Sequence, residues 1–420
     1  MTIDDTASDS HSAIDALRAQ LARTALRPLR LASRELLPIV QGGMGVGVSA
    51  HRLAGSVAAL GAVGTISSVD LRQHHPDLMA LTGHLRGAAG KQAINAANLE
   101  ALAREIRAAR AMADGGGLVA VNVMRAVEEY APSVKCALEA GIDAVVVGAG
   151  LPLDLPDLAR EHPHVALIPI LSDARGVALV VKKWERKQRA PDAIVIEHPG
   201  WAGGHLGAAK VADLTDPRFD FEQVIPQVLD FLRGAGLERD VPVIAAGGLR
   251  SHEDIARVQS LGAAAAQLGT AFVATEECDA HPTFKHVLAD ARDEDLVEFT
   301  SVAGLPARAV RTPWLDRYLS TLPRLQAKVH PRRCTQAFDC LAQCGLRDGL
   351  PGWGQFCIDN QLAAGLRGDL NAGLFFRGVG AMPFGPQIAT VRQLIERLLT
   401  PGVPLGTPVG TPLVAAAAPA

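Results

Sequence analysis

The sequence has few aromatic residues and no block of basic residues, and both shortages argue against nucleic acid as a partner. Only 4% of its 420 residues are aromatic, and the formal net charge is −3. Proteins that bind nucleic acids need clustered Lys and Arg side chains for the phosphates and aromatic side chains for base stacking. We therefore expect no nucleic-acid partner.

Long apolar runs and a secretory signal are also missing. A membrane-spanning helix needs about 20 consecutive apolar residues, whereas every candidate run here is interrupted by charge or glycine. Residues 1–12 are polar and acidic, without the basic-then-apolar order of a secretory signal. We expect a cytoplasmic protein with no membrane-spanning segment.

Cysteine is scarce, with six residues in the whole chain, which argues against a disulfide scaffold. The C-terminal quarter contains four of them: Cys334, Cys340, Cys344 and Cys357. Four thiolates can bind an iron–sulfur cluster or a structural Zn²⁺, although the closely spaced C-x2-C pairs of common sites are absent. Two alternatives stay open here, a metal or cluster site and a group of reduced free cysteines.

Short apolar runs rich in β-branched residues recur between longer helical stretches. Eight such runs occupy residues 38–40, 63–66, 118–123, 144–147, 166–170, 193–196, 241–245 and 264–268. Runs that are apolar on both faces suit a buried parallel sheet, and eight β/α units favour a (β/α)8 TIM barrel, an α/β fold. An open, doubly wound sheet is the alternative.

The strand pattern breaks after Thr275, which suggests a division into five parts. We predict an N-terminal extension (1–34), the barrel (35–275), a mainly helical or irregular lobe with the clustered cysteines (276–386), a returning barrel helix (387–400) and a disordered tail (401–420). The lobe would then be an insertion between the eighth strand and the eighth outer helix. The tail is rich in proline, glycine and alanine, which disfavours a packed structure.

The segment 197–207 carries the most informative local pattern. It follows an apolar strand-like run and contains Gly203 and Gly204 directly before His205. Glycines allow the backbone to approach a flat ligand, and histidine transfers protons near neutral pH. Because loops at the C-terminal ends of barrel strands usually carry the chemistry, we predict that His205 is catalytic. His198, one residue beyond the strand, is either a neighbour that supports the site or a packed side chain.

Other strand ends also carry residues suited to a ligand. Glycines after strands seven and eight form the usual phosphate-binding loops of a barrel, and Ser251 could cap the helix that follows Gly248. Amide side chains can both donate and accept at the edge of a flat ring. We predict cofactor contacts from Gln41, Gly42, Gly43, Met44, Asn122, Gly203, Gly204, Ala246, Gly247, Gly248, Gln267, Gly269 and Thr270.

These motifs together resemble those of the nitronate monooxygenase family, formerly called 2-nitropropane dioxygenases, which is related to flavin-dependent enoyl-acyl-carrier-protein reductases. The resemblance spans residues 38–308 and rests on five segments in the same order and at strand ends: 38–44, 202–207, 245–248, 267–272 and 304–308. It implies a non-covalent FMN at the barrel mouth, with its phosphate near the glycines after strands seven and eight. It also implies that His205 is the family's catalytic histidine.

The resemblance leaves the reaction open among three classes. The first is oxidation of alkyl nitronates with O₂ to carbonyl compounds and nitrite, and the second is NAD(P)H-dependent reduction of a flavin, quinone or enoyl thioester. The third is a non-catalytic flavin-binding protein, against which His205 argues. No G-x-G-x-x-G follows a first strand, which disfavours a separate NADH domain. A small-molecule substrate with O₂ or NAD(P)H is expected, and a homodimer is left open.

The segment before His205 departs from the family's pattern. Many relatives carry an acidic residue and an alanine just before the two glycines, whereas Pro199, Gly200, Trp201 and Ala202 precede them here. The indole would narrow the pocket, which affects the choice of substrate more than the cofactor. Whether Arg308 faces the site is not decided by the sequence.

Overall fold

The structure is a computed structural model that describes residues 3–410, so residues 411–420 of the predicted tail lie outside it. The chain begins with helix α1 (Ile3–Leu21) and an antiparallel hairpin of strands β1 (Leu29–Leu31) and β2 (Arg34–Leu36). Within the described range, every helix is too short or too polar to cross a membrane.

Eight parallel strands form a closed barrel, which confirms the predicted TIM barrel and excludes the open sheet. In chain order these strands are β3 (Ile39–Gln41), β4 (Val63–Ser67), β5 (Leu118–Met124), β6 (Ala144–Gly148), β7 (Ala166–Leu171), β8 (Ile194–Glu197), β10 (Val243–Ala246) and β11 (Ala265–Leu268). The strand β9 (Gly204–His205) belongs to a second sheet. β3 pairs with both β4 and β11, and this pairing closes the barrel.

Helices follow the barrel strands and cover their outer faces. They are α2 (His51–Ala59), α3 (Pro76–Thr82), α4 (Gly87–Ala113), α5 (Tyr130–Glu139), α6 (Leu155–Leu158), α7 (Ala174–Glu185), α8 (Phe221–Gly234), α9 (His252–Ser260) and α10 (Thr270–Val273). Helix α9 begins as predicted at Ser251, whose hydroxyl accepts a hydrogen bond from the backbone N–H of Asp254 at 3.1 Å.

The hairpin β1–β2 closes the lower end of the barrel. Its residues Leu29, Leu31 and Leu36 are buried in the same cluster as the side chains that point to the barrel axis at the beginnings of the strands. Full burial of a leucine side chain contributes about 1.5–3 kcal/mol. With the lower end filled, a ligand can enter the barrel only from the C-terminal ends of the strands.

The lobe after the barrel contains helices and a hairpin. Its elements are α11 (Pro282–Asp290), β12 (Leu296–Thr300), β13 (Pro306–Val310), α12 (Pro313–Gln326) and α13 (Ile358–Leu366). The strands β12 and β13 were not predicted from the sequence. β13 pairs with β12 on one side and with β9 on the other, so the lobe is joined to the segment that carries His205.

A final helix, α14 (Val391–Leu398), returns to the barrel. It packs against α9 and α2, which follow the seventh and first barrel strands. α14 therefore occupies the position of an eighth outer helix, and the lobe precedes it in the chain. Thr390 begins the helix, because its hydroxyl accepts a hydrogen bond from the backbone N–H of Gln393 at 3.1 Å.

Candidate active site

A cavity of about 270 Å³ lies at the C-terminal ends of the barrel strands. Its floor consists of one inward-facing residue from the end of each strand. In chain order these floor residues are Gly42, Ser67, Asn122, Gly148, Ile170, Glu197, Ala246 and Gln267. Strand side chains alternate between the barrel axis and the outer helices. Along each strand, the floor residue is an even number of residues from the buried side chains that face the barrel axis, so it faces the same way.

Gln41, which the sequence predicted to contact the cofactor, does not line this cavity. The preceding Val40 faces the barrel axis, so Gln41 faces outward. The Gln41 amide is fully buried, accepts a hydrogen bond from the backbone N–H of Thr65 at 2.8 Å and donates to the carbonyl of Thr65 at 3.1 Å. Gln41 therefore joins β3 to β4. The other predicted cofactor residues and His205 all line the cavity.

Gly247 and Gly248 form the cavity wall after β10. Their φ angles are +102° and +73°, a region that side-chain-bearing residues rarely adopt. A Cβ on Gly248 would also lie 2.8 Å from the Cβ of Trp201. Opposite them, the Thr270 hydroxyl accepts a hydrogen bond from the backbone N–H of Gly378 at 3.0 Å. The backbone after β10 can thus approach a ligand closely, with the lobe segment fixed beside it.

The segment that carries His205 is held between the barrel and the lobe. In β9, His205 and Gly204 pair with Ala307 and Arg308 of β13. The Arg308 side chain is buried, donates to the carboxylate of Glu298 and to the carbonyl of Ala202, and does not line the cavity. Arg308 thus positions the backbone before His205.

Gly203 allows the closest approach of this segment to the lobe. A Cβ at this position would lie 2.4 Å from the carbonyl carbon of Arg377 and 2.4 Å from the backbone nitrogen of Gly378. Both atoms belong to the backbone and cannot move away as a side chain would. Only glycine therefore fits at this position.

The His205 ring lines the cavity, and its Nε2 lies 2.9 Å from the Ser301 hydroxyl. Ser301 is fully buried and also accepts a hydrogen bond from the backbone N–H of Ala303 at 3.1 Å. Burial lowers the pKa of His205 to about 4, so the ring is neutral at pH 7. A neutral imidazole fixed at one nitrogen can accept a proton or a hydrogen bond.

Glu197 is a cavity residue that the sequence analysis did not identify as functional. It is the floor residue of β8, and burial raises the pKa of its carboxyl group to about 7. Strand alternation could have identified it, because Glu197 is two residues after Val195, which faces the barrel axis. Glu197 is therefore a titratable group at the bottom of the site.

Trp201 and His198 form a stacked pair beside the cavity. Their ring centroids are 3.9 Å apart at an angle of 6°, and Trp201 lines the cavity. His198 is buried, and its Nε2 lies 3.3 Å from a carboxylate oxygen of Asp220. His198 therefore packs against the face of Trp201, and Trp201 forms part of the cavity wall.

The lobe supplies the opposite wall of the cavity. Its contributing residues include Cys340, Leu341, Ile358, Asp359, Leu362, Phe376, Gly378, Val379, Gly380 and Met382. Most of these side chains are apolar, and they face the polar floor of the barrel. The arrangement suits a ligand that has one polar face and one apolar face.

The clustered cysteines show no arrangement for a metal ion in the part of the chain that the structure describes. In residues 3–410, no group of three or more His, Cys, Asp or Glu side chains is arranged to hold a metal ion. Cys334, Cys340, Cys344 and Cys357 form no disulfides among the described residues, and their arrangement gives the metal or cluster alternative no support. Burial raises the pKa of the Cys357 thiol to about 12 and that of Cys340 well above its usual value.

A chelator tests whether the four cysteines bind a metal. We expect incubation with excess EDTA to leave the melting temperature unchanged, because the described residues include no group of three or more His, Cys, Asp or Glu side chains arranged for a metal ion. Elemental analysis of the purified protein should find neither zinc nor iron in stoichiometric amount. A drop in melting temperature on chelation, reversed by added Zn²⁺, would restore the metal-site interpretation.

Comparisons with known proteins agree with this geometry. A family model described as nitronate monooxygenase matches residues 31–401. The "Probable nitronate monooxygenase" of Staphylococcus saprophyticus is 26% identical over 191 residues, which are 45% of this chain and 50% of that protein. The Bacillus subtilis protein of the same name is 32% identical over 130 residues, 31% of this chain and 35% of that protein. The chain thus spans half or less of these curated relatives.

Two solved structures share the fold. FabK from Thermotoga maritima is 24% identical and superposes with a TM-score of 0.59, over 86% of this chain and 91% of that chain. Nitroalkane oxidase from Streptomyces ansochromogenes is 20% identical with a TM-score of 0.58, over 86% of this chain and 94% of that chain. At these identities the likeness concerns the barrel and its lobe.

Proposed function

Because this chain belongs to the nitronate monooxygenase family, we propose that it is an FMN-dependent oxidoreductase that oxidises alkyl nitronates with O₂ to carbonyl compounds and nitrite. The observation that carries the proposal is His205. Its imidazole is neutral and is hydrogen-bonded to Ser301. The ring lines the cavity at the C-terminal ends of the barrel strands.

The residues around the cavity fit FMN. Gly247 and Gly248 adopt positive φ on the cavity wall, and a Cβ there would lie 2.9 Å from the His198 carbonyl oxygen or 2.8 Å from the Trp201 Cβ. Only glycine fits at these positions, and backbone N–H groups at such a turn can meet a phosphate. The amides of Asn122 and Gln267 stand on the floor and can bond to both donors and acceptors of a flat ring. The apolar side chains of the lobe can cover the face of the flat ring that points away from the barrel floor.

When bound, FMN supplies the one- and two-electron chemistry that no amino-acid side chain provides. The residues of this chain bind, orient and shield the reactants. His205 accepts a hydrogen bond or a proton beside the reacting carbon, and its pKa of about 4 keeps it unprotonated for that role. Trp201 and the apolar lobe residues exclude water and leave space for a small alkyl group.

Product analysis tests the proposal. We expect the FMN-loaded protein to release nitrite and an aldehyde or ketone from a small alkyl nitronate in air, with consumption of O₂. The flavin-free protein should release neither product above the uncatalysed rate. Absence of nitrite across a series of primary and secondary alkyl nitronates would contradict the proposed reaction.

Replacing Ser301 with alanine is expected to lower kcat about five- to tenfold, since one hydrogen bond that orients the ring contributes about 1 kcal/mol. Ser301 contacts Nε2 of His205 at 2.9 Å, so its loss frees the ring without removing the base. The measurement is steady-state nitronate oxidation. Ser320→Ala is the matched control, because Ser320 lies exposed on α12 and bonds only to the carbonyl of Arg317. Equal rates for both variants would contradict the orienting role.

The imidazole of His205 is expected to titrate near pH 4. Burial disfavours the charged ring, so protonation occurs only as the pH falls through about 4, well below the value of 6.5 for an exposed histidine. The neutral, active form is therefore fully present at neutral pH. NMR titration of histidine-labelled protein measures this pKa, with His205→Asn to assign the resonance. Titration near 6.5 would contradict the buried, neutral base.

A further inference from the structure

Three buried or half-buried arginines lie near the cavity, and two of them are fully engaged by the protein. Arg308 bonds to the carboxylate of Glu298 and to a backbone carbonyl. Arg377 donates to three backbone carbonyls, those of Leu288, Gly378 and Gly380. Neither side chain lines the cavity. Both arginines therefore stabilise the loops around the site and are not available to a ligand.

Arg250 differs from both. Its side chain lines the cavity, and its Nη1 donates to the carbonyl of Val379 at 3.2 Å. Its Nε is buried and has no hydrogen-bond partner among the described residues. Within the same residues, Arg250 takes part in no ion pair. The nearby Asp254 accepts a hydrogen bond from the Arg250 backbone N–H at 2.8 Å. A half-buried cation with an unused donor is costly unless an anion completes it.

The position of Arg250 identifies the kind of anion. It lies two residues after Gly248, directly before Ser251, which begins α9. The N–H groups of Arg250 and Ser251 already donate to the Asp254 carboxylate, so the glycine turn at Gly247 and Gly248 is the part of this segment that favours a phosphate. The lobe holds the guanidinium in place, because a Cβ on Gly380 would lie 1.0 Å from Nη1 of Arg250. The arginine is therefore fixed at the phosphate end of the cavity.

We propose that Arg250 is the counterion of the cofactor's 5′-phosphate and makes this site select FMN over riboflavin. The proposal rests on the proposed function in one respect, since it takes a flavin to be the ligand. Glycine N–H groups bind phosphate oxygens through partial charges, whereas a guanidinium adds a full charge and planar donors that match the phosphate. Riboflavin lacks the phosphate, so it gains nothing from Arg250.

Binding titrations with the two flavins test this role. The full-length protein is stripped of flavin and titrated with FMN and, separately, with riboflavin, and quenching of the flavin fluorescence gives the two Kd values. Arg250→Met is expected to weaken FMN binding about 10- to 100-fold, the usual range for one charge-assisted contact. Riboflavin binding should stay the same, which also shows that the variant folds.

Two further variants sharpen the test. Arg250→Lys keeps the charge but lacks the planar guanidinium group with its paired N–H donors. Its FMN affinity should therefore lie between those of the wild type and Arg250→Met. Arg233→Met removes the same charge from the surface of α8, where Arg233 pairs with Asp230 and Glu238, and should change neither Kd. Added salt should weaken FMN binding to the wild type more than to Arg250→Met.

The outcomes separate this inference from the proposed function. If Arg250→Met leaves the FMN affinity unchanged, or weakens FMN and riboflavin equally, Arg250 is not the phosphate counterion although the protein binds flavin. If the wild type binds neither flavin, the proposed function itself is overturned. An FMN-specific loss confined to the Arg250 variants supports the inference.

Discussion

Replacing His205 with asparagine is expected to lower kcat at least about 100-fold while FMN stays bound, because general acid–base groups contribute about 10²- to 10⁴-fold. Asparagine fills the same part of the wall but cannot take up a proton. The glycines and floor amides that would hold FMN are untouched by this change. Flavin content by absorbance and steady-state nitronate oxidation measure the two effects separately.

The matched control is His164→Asn, since His164 is exposed and lies outside the cavity. That variant should keep the wild-type rate and flavin content. Unchanged turnover in His205→Asn would falsify the assignment of His205 as the catalytic base. Loss of FMN together with turnover would instead show that His205 is needed for the integrity of the site.

Replacing Gly203 with alanine is expected to reduce turnover about 100-fold or more. The added Cβ would lie 2.4 Å from backbone atoms of Arg377 and Gly378, so the two segments must separate. A displacement of about 1 Å in a catalytic group costs on the order of 10²-fold in rate. Overpacking should also lower the free energy of unfolding by about 1–3 kcal/mol. Steady-state kinetics and denaturant unfolding measure the two effects.

Gly234→Ala provides the control for this substitution. Gly234 is the last residue of α8, and a Cβ there would meet no atom within 4 Å. That variant should keep the wild-type rate, since alanine suits a helix better than glycine. If Gly203→Ala were as active as Gly234→Ala, turnover would not depend on the close approach between the His205 segment and the lobe.

The barrel and most of the cavity wall could be predicted because they depend on short-range patterns. Apolar runs locate the strands, and glycines at strand ends locate the wall of the site. Gln41 shows the limit of that reasoning, since it was assigned by its place beside glycines. Strand alternation would have corrected it, because Val40 faces the axis and Gln41 must then face outward. The same alternation places Glu197 on the floor.

Contacts between distant segments could not be predicted. Ser301 is 96 residues from His205 in the chain, and only the pairing of β9 with β13 brings the two together. β13 is short and contains proline and arginine, so its sequence gives a weak strand signal. The cysteines likewise show that closeness in sequence does not establish the geometry of a metal site.

Anaerobic mixing tests the central claim most directly. The FMN-loaded protein is mixed without O₂ with a small alkyl nitronate or, separately, with NADH or NADPH, and flavin absorbance is followed. The account predicts that the nitronate bleaches the flavin and that the pyridine nucleotides do not. Bleaching by a pyridine nucleotide but not by the nitronate would contradict it and assign the protein to the reductases of flavins, quinones or enoyl thioesters.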